Sequence, residues 1–120
     1  MPVRTLLAKL PAQRLRVDLT SSTVATNAWT EILAAASNTK GCTAIQIYYT
    51  GIGILRLSKG DAGQETGGTS RDPNELPIYI VPGGAPNMLI PFEVAAGKRL
   101  SVRAVDQAVS SGELVINFFG

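Results

Sequence analysis

No histidine occurs in the sequence, and Cys42 is its single cysteine. The first absence rules out a Ser-His-Asp triad, a Cys-His nucleophile pair and every histidine metal site. The second rules out an internal disulfide, a thiolate zinc cluster and a redox pair of cysteines. It fits a reducing compartment, or a particle assembled in one. Long apolar runs are missing as well. Leu6, Leu7, Ala8 and Leu10 are interrupted by Lys9 and stopped by Pro11, which is too short for the apolar region of a leader and far too short for a bilayer. The expectation is a soluble protein with no membrane partner and no cleaved leader.

Acidic residues are absent from the first 16 positions, which hold Arg4, Lys9, Arg14 and Arg16. From Val17 onward there are seven basic and nine acidic residues, so the body carries −2 while the whole chain of 120 residues carries +2. A basic arm, residues 1–12, thus precedes a single domain, residues 13–120, of a size that supports one core without metals or disulfides. Four cations without interleaved aromatics attract phosphates only modestly and in a salt-sensitive way. The acidic surface of a protein partner accounts for the arm equally well, and no nucleic-acid partner is expected.

The glycine-rich stretch from Gly51 to Gly68 raises the question of a phosphate loop. Gly51 and Gly53 begin a dinucleotide fingerprint, but Arg56 stands where its third glycine belongs, and the following "ILRLS" has strand periodicity rather than a helix start. A P-loop ending at Gly97-Lys98 would need a glycine where Phe92 stands and a Ser or Thr where Arg99 stands. These glycines therefore read as a tight connection between strands ending at Thr50 and starting at Ile54. Asp61, Glu65, Asp72 and Glu75 share a long polar stretch, residues 59–75, without the alternate spacing of a calcium loop. Two carboxylates suffice for a glycosidase, which leaves Glu31, Glu93 and Asp106 chemically eligible, but nothing marks any pair as facing one cleft. No catalytic, metal or cofactor residue is expected. Cys42 opens an apolar strand with no base or cation cluster beside it and reads as a small buried hydrophobe.

What the chain does have is period-two alternation. "RLRVDLT" sets Leu15, Val17 and Leu19 against Arg14, Arg16 and Asp18, the pattern of a half-buried strand. "AWTEILA" is a weaker strand, and "EILAAAS" within it could instead turn helically. "CTAIQIYYT", "ILRLS", "LPIYIVP", "MLIPFEV", "RLSVRAV" and "ELVINFF" complete a set of about eight short strands, separated by turn residues. Pro77 and Pro91 cannot donate to a ladder and belong at edges, strand starts or bulges. The reading is all-β, an antiparallel sandwich or barrel. Its inward positions are Val17, Leu19, Ile45, Ile47, Leu55, Leu57, Ile90, Phe92, Leu100, Val102, Leu114, Ile116 and Phe118. Consecutive Tyr48 and Tyr49 point to opposite faces, so one is core and the other an exposed anchor. Phe118 and Phe119 repeat the problem. Val105, Val115 and Phe119 lie opposite the core set, which suggests subunit contact. The candidate interface is Arg4, Lys9, Arg14, Tyr48, Tyr49 and Phe119.

The succession "AWTEILAAASNTKGCTAIQIYYTGIGILRLSKG" and then "PFEVAAGKRLSVRAVDQAVSSGELVINFFG" resembles small structural proteins of tailed-bacteriophage virions. The resemblance extends from Val17 to Gly120 and rests on a strand about an aromatic, a strand pair with a glycine-rich turn, and a closing Gly-Glu-Leu-Val-Ile-Asn strand. It is closest in kind to the jelly-roll decoration, or cement, proteins that clamp neighbouring major capsid subunits. It implies a jelly-roll sandwich with an extended N-terminal arm, assembled in the host cytoplasm and seated on the capsid surface of the virion. The implied partner is the major capsid protein, bound by a homo-oligomer, dimer or trimer, because such proteins sit on local symmetry axes. No catalytic or ligand residue comes with it. Two other functions stay open: a tail or fibre component contacting a host receptor, and a carbohydrate-binding β-sandwich module, which would need exposed aromatics along a groove.

The face assignment has a direct test. Ile116→Ala should lower stability by about 2–5 kcal/mol through the cavity it leaves, read as a fall in the midpoint of chemical denaturation. An unchanged midpoint would put Ile116 outside the core.

Overall fold

The computed structural model describes residues 13–21, 23–60, 76, 78–83 and 88–120. The proposed basic arm, residues 1–12, and residues 61–75 of the long polar stretch lie outside the described residues, and Arg4 and Lys9 lie there with them. Seven strands are present among the described residues: β1 (Gln13–Asp18), β2 (Thr30–Leu33), β3 (Cys42–Tyr49), β4 (Leu55–Gly60), β5 (Ile90–Val94), β6 (Arg99–Ala104) and β7 (Glu113–Phe119). They form two antiparallel sheets, one ordered β1-β7-β3-β5 and the other β2-β6-β4. The all-β sandwich expected from the alternation is therefore the fold.

Period two explains which side of each strand is wet. In β1, Leu15 and Val17 lie opposite Ile116 and Leu114 of β7, while Arg14 and Arg16 lie opposite Asn117 and Val115 on the outer face. In β4, Leu55 and Leu57 face Ala104 and Val102 of β6. All the residues assigned inward from the sequence belong to one core cluster or pack against it. The cluster also takes in Val24, Leu33, Tyr49, Val94 and Val109. Burying such a side chain contributes roughly 1.5–3 kcal/mol, most of it offset by the entropy of ordering the chain.

Two expectations need correction. "LPIYIVP" is not a strand. Ile80 alone bridges to Leu55, and the Leu57 carbonyl accepts from the Leu76 N–H at 2.8 Å. An unbroken antiparallel ladder would place Ile78 opposite Leu57, so two extra residues are looped out of the edge, and Ile78 and Tyr79 are left exposed. The long polar stretch begins two residues later than expected. Lys59 and Gly60 belong to β4 and pair with Leu100 and Arg99. Lys59 can occupy an inward register at a sheet end because its ammonium reaches out, lying 5.1 Å from the Phe92 ring centroid and donating to the Glu93 carbonyl. The Gly51–Gly53 stretch is the tight connection between strands that its glycines suggested. It carries the chain from β3 in one sheet to β4 in the other. Of the two readings of "EILAAAS", both hold in part: Thr30–Leu33 is strand and Ala35–Ser37 is one turn of 3-10 helix.

Two local devices hold the sandwich ends. At one end the β3–β4 and β6–β7 connections touch: a Cβ on Gly112 (φ +80°) would lie 2.4 Å from the Gly51 Cα, so only glycine fits. At the other end, buried Asn38 ties three segments together. Its Nδ2 donates to the Ala95 and Lys98 carbonyls at 3.0 and 2.9 Å, and its Oδ1 accepts from the Gly41 N–H at 3.1 Å. Its own carbonyl accepts from the Gly97 N–H at 2.8 Å. Asn38→Ala should cost about 1–3 kcal/mol, because it leaves buried main-chain groups without partners. Thermal and urea unfolding would both register the loss, and an unchanged stability would show that water replaces the amide freely.

Candidate functional site

The four-stranded sheet ends in β5, while the β4 edge of the other sheet is covered in part by the Ile80 bridge. Between these two borders the sandwich opens into a groove of about 320 Å³. The end of β3 supplies Ile47, Tyr48, Tyr49 and Thr50, the looped-out edge supplies Ile78 to Val81, and Met88 and Ile90 close the β5 side. The Gly83 N–H donates to the Tyr49 carbonyl at 3.1 Å and fastens the looped segment to β3. The register slip at Leu76–Ile80 is thus what builds the groove: it swings apolar side chains away from the core and fixes them at its mouth.

Among the described residues, the exposed large hydrophobics are Tyr48, Ile52, Ile78, Tyr79, Val81 and Met88. All but Ile52 line this one groove. Isolated exposed apolar side chains are ordinary, but a contiguous group marks a contact surface. Among the described residues the lining contains no charged side chain; its side-chain polar groups are the Thr50 hydroxyl and the tyrosine hydroxyls. Arg56 stands at the border, its guanidinium 5.8 Å from the Tyr79 ring centroid. Tyr49 is 5% exposed, its hydroxyl is buried without a hydrogen-bond partner, and burial raises its pKa above the ordinary phenol value.

The residues expected at an interface separate. Tyr48 is the exposed member of its pair and Tyr49 the buried one, as strand alternation requires, and both line the groove. Arg14 is elsewhere, on the outer face near the opposite edge. Its Nε donates to Asn117 Oδ1 at 2.8 Å, and Asn117 Nδ2 donates to Gln46 Oε1 at 3.2 Å, a polar row across β1, β7 and β3. Phe119 also points outward yet is only 5% exposed, packed with Ala44 and Leu89. Val115 is half-buried. Sequence reasoning missed Ile78, Tyr79, Val81 and Met88. The signal was present in "IYIV": four consecutive apolar residues cannot all face inward from a strand.

A second cavity, about 260 Å³, is lined by β1, β2 and the segment between them. Its charged groups are already engaged. Arg16 pairs with Glu113 at 2.8 Å, and Glu31 with Arg99 at 3.1 Å. Asp18 accepts from the hydroxyl and N–H of Thr20, which lowers its pKa below the usual carboxylate value. No group of three or more Cys, Asp or Glu side chains among the described residues is placed to hold a metal ion. No helix among them is long and apolar enough to cross a membrane.

Comparison with protein families, with curated proteins and with solved structures found no match to this chain.

Cys42 sits inside the core at the start of β3, where burial pushes its thiol up to about 11. It should resist a thiol reagent at pH 8 in the folded protein and react at once in denaturant. The sign of the pH effect follows. Below pH 9 the thiol is protonated in both states. Between about 9 and 11 the unfolded thiol ionises first, so stability falls with rising pH. Cys42→Ala should flatten that part of the stability profile, and rapid labelling of native protein would contradict the burial.

Proposed function

We propose that this protein is a virion structural protein, a capsid decoration or cement protein that binds and stabilises the major capsid protein lattice as a homo-oligomer on the capsid surface. In this reading the sandwich is a jelly roll. The strand order supports it. Counting the Ile80 segment as the fifth of eight strands turns β1-β7-β3-β5 and β2-β6-β4 into 1-8-3-6 and 2-7-4-5, the arrangement of two interlocked Greek keys found in viral capsid and lectin domains. The resemblance of the two long segments to phage decoration proteins points the same way.

The observation that carries an assembly role is the groove. Its apolar lining offers no charged group for acid–base work. It does offer a preformed apolar surface, built from β3, β5 and the segment that bridges to β4 at Ile80, of the kind that drives protein association. One observation favours a second reading: Tyr48 and Tyr79 expose aromatic rings along the groove, as a carbohydrate-binding module would. Sugar recognition also calls for several convergent hydrogen-bonding side chains, and among the described lining residues Thr50 is the only one besides the tyrosines. The assembly role is therefore the better supported.

Mixing the protein with undecorated phage shells and pelleting them tests the proposal. Co-sedimentation that saturates at a fixed ratio of copies per capsid subunit is expected. Failure to co-sediment at any salt concentration would overturn it, and micromolar binding on a glycan array would favour the module instead.

A further inference from the structure

The exposed apolar residue that does not line the groove stands beside it. Ile52 is 72% exposed and lies two residues beyond Thr50, which lines the groove wall. It is flanked by Gly51 and Gly53, so a single branched side chain projects from a turn with no side-chain bulk on either side. The turn is held rigidly. The Ile52 N–H donates to Ser111 Oγ at 3.1 Å, the Thr50 N–H to the Glu113 carbonyl at 3.0 Å, and the Glu113 N–H to Thr50 Oγ1 at 3.1 Å. Beneath it Gly51 is pressed against Gly112. Ile52 is therefore fixed outward and cannot collapse onto its own chain without breaking these bonds.

We propose that the groove receives Ile52 of a second copy, so that the protein is a two-fold dimer in which each turn enters its partner's groove. A knob and a groove on neighbouring parts of one chain make a self-complementary patch, which an isologous contact requires. The chemistry agrees. Neither the described groove lining nor the Gly51–Gly53 turn carries a charged side chain, and Arg56 at the border is already only 7% exposed, so docking strips little water from any ion. There is room, since a cavity of about 150 Å³ already accepts a benzene ring and this one is about 320 Å³. The area agrees too. The five lining side chains are 40–54% exposed and Ile52 72%, which at roughly 200 Å² each leaves on the order of 500 Å² open. A standard interface buries about 800 Å² per partner, with about 65% of it apolar in homodimers, which is the same amount. The inference rests on reading this face as an assembly surface and names what assembles there.

The test uses the purified chain without shells. Sedimentation velocity and light scattering from ~1 to ~500 μM should show a particle of twice the 12.6 kDa chain mass. Ile52→Asp alters the knob and Met88→Asp the groove. Each should raise the dimer dissociation constant ~30-fold or more, as loss of a buried anchor does, while leaving the circular dichroism spectrum unchanged and lowering the melting temperature only by the dimer's own concentration-dependent contribution, since both side chains are exposed in the single chain. An equimolar mixture of the two variants should regain dimer, since their heterodimer keeps one intact knob-and-groove contact and each homodimer keeps none. A wild-type chain that stays monomeric, one that grows beyond the dimer, a dimer indifferent to both substitutions, or a mixture that stays monomeric would each overturn the proposal. Shell binding by a monomer would sink the dimer and spare the capsid reading; a dimer that ignores shells would do the reverse.

Discussion

The inner strands of the two sheets, β7 and β6, each present a strict alternation to the same core. Leu114, Ile116 and Phe118 from one sheet and Leu100, Val102 and Ala104 from the other are all buried, and the rest of the domain is arranged so that this layer stays dry. A sheet has one face to hide, and a one-residue slip in any strand would turn its apolar set outward. β1 and β3 flank β7, and β2 and β4 flank β6. Every remaining strand but β5, which pairs with β3, therefore takes its register from these two. The polar anchors follow from the same constraint: buried Asn38 and the Gly51–Gly112 contact close the two ends where the chain must leave the sheets without exposing the layer between them.

At the groove the alternation is broken. Around Ile80 the ladder keeps only enough hydrogen bonds to hold the segment to β4, and the looped-out residues give up core burial for a place at the surface. That arrangement leaves apolar area in water, which the proposed dimer would cover. The other open side of the sandwich makes a useful contrast. There the charged residues Arg16 and Glu31 are already paired within the chain, which makes that side a finished surface. The two sides of one sandwich thus divide into one with paired charges and one with exposed apolar side chains.

Much of the architecture was legible in the sequence. "RLRVDLT" alternates cleanly, and "ELVINFF" does so apart from Val115 and Phe119; alternation reports burial directly because successive side chains of a strand point to opposite faces. The absence of histidine and the single cysteine limited the chemistry before any fold was known. "LPIYIVP" misled because its apolar content is that of a buried strand, while its hydrogen bonding is decided by the neighbour it must match in length. Nothing local records that mismatch. Tyr48 and Tyr49 could be split into one inward and one outward residue, but which one depended on the register of β3 against β7.

Composition and periodicity alone determined that the chain is all-β, that it has one core, and which faces of most strands are buried, because those properties depend on residues two apart. Only the tertiary structure decided that β3 and β4 belong to different sheets, that the Gly51–Gly53 turn crosses between them, and that five scattered hydrophobic residues converge on one groove. Those depend on which strands far apart in sequence become neighbours, a matter of global packing that no short stretch of sequence encodes.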